Sequence, residues 1–403
     1  MQRFDVALIG AGAAGMMCAA VAAQRGCRVV LIDHATKLAE KIRISGGGRC
    51  NFTNRRVTPE NFISANPHFA RSALAGYGPD DFLALMKRYN IAWHEKHRGQ
   101  LFCDDSSEDI INMLRDECDQ GGVHWCMPCS VEEITRSETA EGVDFRLATS
   151  QGAIHASSLV IATGGLAIPQ IGATDFGLKI ARQFGLKVIE PRPALVPLTF
   201  DAESWAPFAE LSGLALEANV TTGTGKSAQT FLEDVLFTHR GLSGPGILQI
   251  STYWQPGEPI VLDLAPGQEM AAKLIEAKSG SRQQLGTLLG TFWSKRLAER
   301  WLGEEATKRL ADAPDRYLKD LGQRIQAWSL IPNGTQGYKK AEVMRGGVDT
   351  KGLDQRSMQA RAVSGLYFIG ETVDVTGWLG GYNFQWAWAS GVACGRSLPC
   401  RAS

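Results

Sequence analysis

The sequence lacks a long apolar run, a net charge and a regular cysteine pattern, and each absence excludes a class of protein. No uninterrupted hydrophobic stretch reaches the roughly 20 residues that a membrane-spanning helix needs. An apolar strand pattern that already begins at Phe4 leaves no room for a signal peptide. Lys plus Arg and Asp plus Glu both number 42, so no global basic field points to nucleic acid, although a local patch remains open.

The nine cysteines are scattered and odd in number, which argues against a disulfide framework and favours a cytoplasmic location. Cys126 and Cys129 form a Cys-x-x-Cys pair, a spacing found in redox sites and in half of many zinc sites. No second pair of matching spacing accompanies it. We therefore interpret both residues as buried thiols entering a strand, and we expect no metal site.

The sequence is instead rich in glycine, 44 residues in 403, and the excess lies in a few loops. The first loop, Gly10-Ala-Gly-Ala-Ala-Gly15, follows an apolar strand over residues 4–9 and opens a small-residue helix that runs to Gln24. A second strand over residues 28–32 ends at Asp33. This strand–turn–helix–strand context is what makes a Gly-x-Gly-x-x-Gly sequence a dinucleotide-binding turn.

Each residue of this turn has a physical task. We expect Gly10 to allow the tight turn, Gly12 to let a pyrophosphate approach the backbone, and Gly15 to let helix and strand pack closely. The free N–H groups at the start of the helix attract phosphates. Asp33 is placed to accept hydrogen bonds from a ribose.

Further glycine-rich segments favour FAD over NAD as the bound cofactor. They are Ser45-Gly-Gly-Gly-Arg-Cys-Asn51, Thr163-Gly-Gly165, Gly370-Glu371 and Gly380-Gly-Tyr-Asn383. FAD is long and needs contacts from distant parts of a sequence, and the N-terminus of a helix beginning near residue 380 would stabilise negative charge on a reduced flavin. Because no second well-placed Gly-x-Gly-x-x-Gly is present, we expect NADH or NADPH to visit only transiently as electron donor.

The composition also changes along the chain. Three prolines lie within residues 191–197, and α/β character returns at Gly346, which predicts an inserted domain over residues 191–345. The predicted parts are residues 1–190 and 346–403 for the FAD-binding domain, 191–267 and 326–345 for the β-rich part of the insert, and 268–325 for its helical part.

Five blocks of the sequence are together far more specific than the dinucleotide-binding turn alone. They are Gly10-Ala-Gly-Ala-Ala-Gly15, Ser45-Gly-Gly-Gly-Arg-Cys-Asn-Phe-Thr-Asn54, Ala162-Thr-Gly-Gly165, Leu236-Phe-Thr-His-Arg-Gly-Leu-Ser-Gly-Pro245 and Gly377-Trp-Leu-Gly-Gly-Tyr-Asn-Phe-Gln-Trp386. The chain resembles the BaiN/RdsA-type (YhiN-like) flavoproteins essentially from end to end. The resemblance implies an α/β, glutathione-reductase-like FAD-binding Rossmann domain, interrupted by an insert with a β-barrel-like part and a helical part.

The resemblance also implies an activity, the NAD(P)H-driven reduction of a C=C bond conjugated to a carbonyl. In one group the substrate is a uridine of 23S ribosomal RNA, which becomes dihydrouridine, and in another it is an enone of a steroid-like acid. This sequence is more similar to the ribosomal group, so ribosomal RNA is the expected partner. A reductase of a small-molecule enone and a non-catalytic FAD-binding redox or assembly module remain the alternatives.

The expected FAD-binding residues follow from the glycine-rich segments and from the resemblance. They are Gly10, Gly12, Ala13, Ala14, Gly15, Asp33, Lys41, Ser45, Gly46, Gly47, Arg49, Cys50, Asn51, Val131, Thr163, Gly164, Gly370, Glu371, Asp374, Gly380, Gly381, Tyr382 and Asn383. One departure from related sequences is Met344, where a hydroxyl residue is common.

Reduction of a uracil C5=C6 bond needs hydride at C6 and a proton donor near C5, and a thiol is mostly protonated at neutral pH. Cys50 and Cys103 are equal candidates for this donor and His239 is a weaker one, while water and purely structural thiols remain alternatives. Arg49 is expected to favour the thiolate of Cys50. The two aspartates that follow Cys103 are expected to favour its neutral form.

Overall fold

The structure is a computed structural model that describes residues 2–139 and 142–400. The chain forms two compact units. The first unit combines Met1–Arg192 with Val343–Ser403, and the second is Pro193–Glu342. Assigning cofactor binding to the first unit remains a prediction at this point.

Strands and short helices alternate along most of the chain. The strands are β1 (Gln2–Ile9), β2 (Val29–Ile32), β3 (Asn51–Asn54), β4 (Phe62–Ile63), β5 (Trp93–Glu95), β6 (Gln100–Cys103), β7 (His124–Cys126), β8 (Val131–Thr139), β9 (Gly142–Thr149), β10 (Gly152–Ile161), β11 (Val188–Ala194), β12 (Leu198–Thr199), β13 (Ala215–Thr222), β14 (Gln229–Thr238), β15 (Gly241–Ser243), β16 (Ile260–Asp263), β17 (Trp328–Leu330), β18 (Gly334–Thr335), β19 (Val343–Val348), β20 (Leu366–Phe368) and β21 (Thr376–Gly377). The helices are α1 (Ala13–Gln24), α2 (Glu40–Ile44), α3 (Arg71–Gly76), α4 (Pro79–Arg88), α5 (Ser107–Gln120), α6 (Phe176–Gln183), α7 (Ala202–Ala209), α8 (Pro245–Ser251), α9 (Met270–Lys278), α10 (Leu285–Leu289), α11 (Lys295–Leu302), α12 (Asp315–Gln326) and α13 (Tyr382–Ser397).

A seven-stranded sheet forms the centre of the first unit. Its order is β7-β2-β1-β10-β9-β8, and β20 pairs with the C-terminal half of β10. The strands β7, β2, β1, β10 and β20 are parallel, whereas β9 and β8 are antiparallel additions. Because parallel strands end at the same edge, the residues that follow β1, β2 and β10 meet there.

Helices α1 and α13 bring the two ends of the chain together. Helix α1 consists largely of alanine and other small residues and is buried along most of its length. A Cβ added at Gly391 would lie 2.7 Å from the Ala14 carbonyl oxygen, and one at Gly395 would lie 2.8 Å from that of Cys18. These glycines of α13 let the two helix backbones approach closely, so the C-terminal segment packs directly on the dinucleotide-binding turn's helix.

A second, small sheet of the first unit was not predicted from the sequence. It has the antiparallel order β3-β6-β5. Each strand has only three or four residues, which is too short for a periodic pattern to emerge. Strand β4 pairs with β21, which holds the segment before α13 in place.

The second unit is built on an antiparallel sheet of the order β17-β16-β13-β14-β15-β12-β18. Its core is continuous with the helices that follow in sequence, since Val220 and Phe237 of the sheet belong to the same buried cluster as Leu274, Leu297 and Leu318. The β-rich and helical parts predicted from the sequence therefore share one hydrophobic core.

Two details of the cysteines could not be predicted from the sequence. The structure contains a disulfide between Cys27 and Cys400, whose Cα atoms are 4.5 Å apart, while the other seven cysteines are free, so the described residues form a single bond and not a disulfide framework. Sequence spacing could not reveal a pair whose partners are 373 positions apart. Cys126 and Cys129, which we interpreted as buried thiols entering a strand, are both buried, but Cys126 ends β7 and Cys129 lies between two strands, because β8 begins only at Val131.

Within residues 2–139 and 142–400, no helix combines the length and the apolar character that crossing a membrane would require.

Candidate functional site

The turn after β1 shows two kinds of glycine. A Cβ at Gly10, whose φ is +108°, would lie 2.4 Å from the Ala162 carbonyl oxygen, and a Cβ at Gly15 would lie 1.8 Å from the Gly10 oxygen. Backbone oxygens of the protein therefore leave no space for a side chain at either position. A Cβ at Gly12 would meet nothing within 4 Å, so this residue borders open space. Helix α1 begins there without a side-chain cap or an acid in its first turn, which leaves its N-terminal charge for a ligand.

Asp33 follows β2 beside this turn and organises it. Its Oδ2 accepts a hydrogen bond from the Ala11 N–H at 2.7 Å, and its Oδ1 accepts one from the Ala35 N–H at 2.8 Å. The side chain is 17% exposed. A carboxylate has about four lone-pair sites, so two contacts leave acceptor capacity for the hydroxyls of a ribose.

The segment after β20 lies against the first turn of α1. A Cβ at Gly370, whose φ is +64°, would lie 2.9 Å from the Ala14 Cβ. The next residue, Glu371, accepts the Met344 N–H at 2.8 Å through Oε1 and pairs with Lys41 Nζ at 2.5 Å through Oε2. Two residues predicted to bind FAD from opposite ends of the chain are thus joined directly. Met344 contributes its backbone here, so its lack of a hydroxyl does not disturb this contact.

The Thr163-Gly164 pair after β10 carries an unusual polar group. Thr163 Oγ1 is buried and has no hydrogen-bond partner in the described part of the chain. Gly164 has a φ of +70°, and a Cβ on it would meet nothing within 4 Å. The open space lies beside the Gly164 backbone, whereas the Thr163 hydroxyl faces Gly177 of α6, where an added Cβ would lie 2.5 Å from Oγ1.

The triple-glycine loop adopts a left-handed path. Gly46, Gly47 and Gly48 have φ values of +57°, +68° and +86°. A Cβ at Gly46 would lie 2.9 Å from Phe102, whereas Gly47 and Gly48 border open space. The loop closes through a hydrogen bond from the Cys50 N–H to the Ser45 carbonyl at 3.0 Å. Its outer surface is therefore bare backbone that a ligand can approach.

The N-terminus of α13 is fixed by its neighbours. Gly381 has a φ of +93°, and a Cβ on it would lie 2.3 Å from the Thr53 oxygen. The Asn383 side chain accepts the Gly377 N–H at 2.8 Å and donates to the Gly377 carbonyl at 2.9 Å. Asn54 Nδ2 donates to the Gly380 carbonyl at 3.1 Å. The helix start is thereby held rigidly and carries no side-chain cap.

The structure also shows the surroundings of two further expected FAD-binding residues, Val131 and Asp374. Val131 begins β8 two residues after Cys129, whose N–H donates to the Asp33 carbonyl at 2.7 Å. Asp374 is buried and accepts the Ala65 N–H at 2.8 Å. Burial is the main cause that raises the pKa of Asp374.

Cys50 and Cys103 lie side by side and are both fully buried. The Cys103 N–H donates to the Arg49 carbonyl at 2.9 Å, and the two thiols influence each other electrostatically. Burial raises the pKa of Cys50 to about 12 despite a hydrogen bond with Ser45. The expected lowering by Arg49 is wrong, because the Arg49 side chain is exposed while the thiol is desolvated.

The pKa of Cys103 is also raised, first by burial and then by the neighbouring Cys50, Asp109 and Asp104. The direction agrees with the sequence argument, but the dominant cause is desolvation. His239 belongs to the second unit, where it is exposed in the connection between β14 and β15. Which of the three residues donates a proton remains a prediction.

Sequence reasoning missed several residues that shape this site. Thr53 Oγ1 donates to Gln385 Oε1 at 2.6 Å, and Gln385 Nε2 donates to the Tyr77 carbonyl at 2.9 Å. Gln100 packs on Gly380. All lie in or against the small sheet, whose strands are too short to be recognised. In the part of the chain that the structure describes, no group of three or more His, Cys, Asp or Glu residues is arranged to hold a metal ion.

A parallel Rossmann-type sheet, an uncapped helix after a glycine-rich turn and a second helix start from the far end of the chain define the class of the first unit: it has a dinucleotide-binding Rossmann fold. The chain belongs to the family described as HI0933-like protein Rossmann domain, which matches residues 4–397. The predicted family membership is therefore confirmed.

Three relatives match over nearly their full length. The chain is 48% identical to the ribosomal RNA dihydrouridine synthase of Escherichia coli, covering 99% of this chain and 98% of the relative. It is 46% identical to the ribosomal RNA dihydrouridine synthase of Haemophilus influenzae, covering 98% and 99%. It is 29% identical to the 3-dehydro-bile acid delta(4,6)-reductase of Clostridium scindens, again covering 98% and 99%.

A solved structure supports the fold. The 3-ketosteroid-Δ4-(5α)-dehydrogenase from Rhodococcus jostii RHA1, in complex with 4-androstene-3,17-dione, superposes with a TM-score of 0.50 at 13% identity, covering 98% of this chain and 97% of that chain. The predicted fold class is confirmed, and the chain is an FAD-dependent oxidoreductase.

Proposed function

We propose that this enzyme reduces a uridine of 23S ribosomal RNA to dihydrouridine, with FAD as bound cofactor and NADH or NADPH as electron donor. The observation that carries the proposal is the full-length similarity to two ribosomal RNA dihydrouridine synthases, together with a cofactor cradle built from both chain ends. A reaction on ribosomal RNA would take place in the cytoplasm, which is therefore the location that we propose.

The residues of the first unit fit FAD. The uncapped start of α1 and the open side of Gly12 would bind the pyrophosphate, and Asp33 would accept hydrogen bonds from the ribose. The open side of the Gly164 backbone, where an added Cβ would meet nothing within 4 Å, would also border the cofactor. The start of α13 at Gly381 would hold the flavin end of the cofactor, where its N-terminal dipole favours negative charge.

When bound, FAD supplies a hydride to a conjugated C=C bond. The chain's own contribution is to hold a proton for the neighbouring carbon. Burial raises the pKa of both Cys50 and Cys103, so each sulfur stays protonated but releases its proton less readily than an exposed thiol. Their full burial also excludes water from the sulfur atoms.

The electron donor is proposed to bind only transiently. The described residues contain one parallel sheet of Rossmann type, and its dinucleotide-binding turn is assigned to FAD. A nicotinamide nucleotide therefore has no domain of its own in residues 2–139 and 142–400. Stopped-flow mixing with NADH and with NADPH tests this, since loss of the flavin absorbance should follow one or both nucleotides.

A small-molecule enone is the second candidate substrate, favoured by the similarity to the bile acid reductase. Two measurements made in parallel distinguish the two candidate substrates. Ribosomal RNA from a strain lacking this protein is compared with wild type by mass spectrometry, and the purified enzyme is assayed with NADPH and a steroid enone. Loss of one dihydrouridine, restored by the gene, supports the ribosomal substrate, whereas unchanged RNA together with rapid enone reduction overturns it.

A further inference from the structure

One end of the small sheet is strongly basic although the chain as a whole has no net charge. Residues 54–56 and 93–100 contain four Lys or Arg against a single Glu. We call this surface the basic hairpin end. Its exposed basic members are Arg55, Arg56, Lys96, His97 and Arg98, and Glu95 is its one exposed acid.

Backbone contacts hold the two halves of the basic hairpin end together. The Arg55 N–H donates to the Gly99 carbonyl at 2.7 Å, and the Lys96 N–H donates to the Gln100 carbonyl at 2.8 Å. Asn54 Nδ2 donates to the Arg98 carbonyl at 3.1 Å. The positive charges are therefore presented from a hydrogen-bonded hairpin and the strand beside it.

The same contacts join this surface to the proposed flavin end of the site. Asn54 Nδ2 bonds to the Gly380 carbonyl as well as to Arg98, both at 3.1 Å. A Cβ at Gly380 would lie 3.0 Å from Gln100 Cγ, so strand β6 touches the residues that open α13. A substrate held on the basic hairpin end would thus be adjacent to the start of α13.

Aromatic rings lie under the cations. The Arg55 guanidinium lies 5.1 Å from the centre of the half-buried Trp93 ring, and Lys96 Nζ lies 4.1 Å from that of Phe102. Glu95 pairs with Arg55 at 3.4 Å, but both side chains are exposed, and such a pair is weak. A phosphate can replace this carboxylate, and an unpaired base can stack on an aromatic side chain or on a guanidinium plane.

We propose that the basic hairpin end is the docking surface for a single-stranded segment of the substrate RNA, with its phosphates on Arg55, Arg56 and Lys96 and one base near Trp93. The inference rests on the proposed function and specifies where the RNA binds. Charge complementarity favours RNA, because a polyanion needs several fixed cations spaced along a surface, whereas a small enone does not.

The test compares two double variants of the full-length holoenzyme. Arg56→Ala/Lys96→Ala removes two charges from the basic hairpin end, and Arg115→Ala/Lys179→Ala removes two exposed charges from helices α5 and α6 as the matched control. Binding of an unmodified 23S ribosomal RNA transcript is measured over a range of salt concentrations. We expect the first variant to bind at least about tenfold more weakly at low salt, with a salt slope reduced by about one for each charge removed.

The control variant should bind like wild type, and both variants should keep their FAD content, melting temperature and rate of flavin reduction by NADPH. Trp93→Ala should also weaken binding, and Trp93→Phe should restore most of it. Equal RNA binding by the two double variants overturns the docking surface alone. A selective loss of NADPH-driven flavin reduction also overturns it, because the cations then bind the dinucleotide. A wild-type enzyme that neither binds nor modifies RNA overturns the proposed function as well.

Discussion

Individual residues in this site serve either the packing of the protein or the binding of a ligand. The structure shows which of these two roles each glycine of the turn has. Gly10 and Gly15 are required because any side chain would collide with backbone oxygens, whereas Gly12 borders open space. The sequence pattern predicted all three but could not show which atoms each glycine avoids. Asp33 serves both purposes, since it holds two backbone N–H groups and retains acceptor capacity.

Asp33 allows a direct test of the ribose contact. Asp33→Asn keeps the size of the side chain but removes its charge, so we expect FAD binding to weaken by about 1–3 kcal/mol. Asp5→Asn is the matched control, because Asp5 also accepts a backbone N–H, that of Arg28 at 2.8 Å, in the same strand–helix–strand unit. Flavin titration of the apoproteins measures both affinities, and equal losses in the two variants would contradict a specific ribose contact.

The two buried thiols are expected to differ in function although they resemble each other chemically. Cys50→Ala and Cys103→Ala should both allow NAD(P)H to bleach the flavin, while dihydrouridine formation should collapse in one of them. Single-turnover product analysis after flavin reduction distinguishes these steps. Normal turnover in both variants and in His239→Ala would assign the proton to water.

Burial of Cys50 also predicts a pH dependence of stability. Its pKa rises from 9.0 to about 12 on folding, so the folded state favours the protonated thiol. The resulting stability is present below pH 9 and is lost progressively as the pH rises from about 9 towards 12, because the unfolded thiol ionises first. Denaturant unfolding between pH 8 and 10.5 should show a steeper loss of stability for wild type than for Cys50→Ala.

For whole helices and strands, the sequence predicts features that depend on neighbouring residues, and it misses contacts between residues that are far apart in the chain. Helix α1 and strand β2 could be predicted because their signals are local, an apolar run and a glycine-rich turn. The packing of α13 on α1 through Gly391 and Gly395, and the pairing of Cys27 with Cys400, join positions more than 360 residues apart, so no local pattern reports them. The sheet of β3, β5 and β6 was missed because its strands are too short and rely on tertiary contacts.

A matched pair of glycine variants tests the assignment of the turn before α1. Gly12 has φ and ψ of −90° and −165°, which alanine adopts readily, so Gly12→Ala should fold normally but bind FAD at least about tenfold more weakly. Gly15→Ala places a Cβ 1.8 Å from the Gly10 oxygen and should lower the stability of the apoprotein itself. Thermal melting with and without FAD separates the effects, and normal FAD binding by Gly12→Ala would remove the pyrophosphate from this position.

The whole molecule divides its expected tasks between two units. Every residue predicted to bind FAD lies in Met1–Arg192 or Val343–Ser403, whereas His239 lies in Pro193–Glu342. The chain leaves the first unit in β11 and returns in β19, and these two strands pair with each other. The strands at which the chain leaves and re-enters the first unit are therefore neighbours, so a short linker can join them.

This division predicts that the first unit binds FAD without the second. Deleting only residues 268–325 is a poor test, because α9 to α12 share a hydrophobic core with the antiparallel sheet, and their loss would expose it. Replacing residues 193–342 by a short Gly/Ser linker between β11 and β19 removes the entire core instead. We expect the shortened protein to be folded and yellow, with a flavin spectrum, and to be bleached by NAD(P)H. It should have lost the reduction of RNA, because we expect the insert to select the substrate. A colourless shortened protein that stays folded would show that the second unit contributes to FAD binding, and full activity on RNA would place substrate selection in the first unit alone.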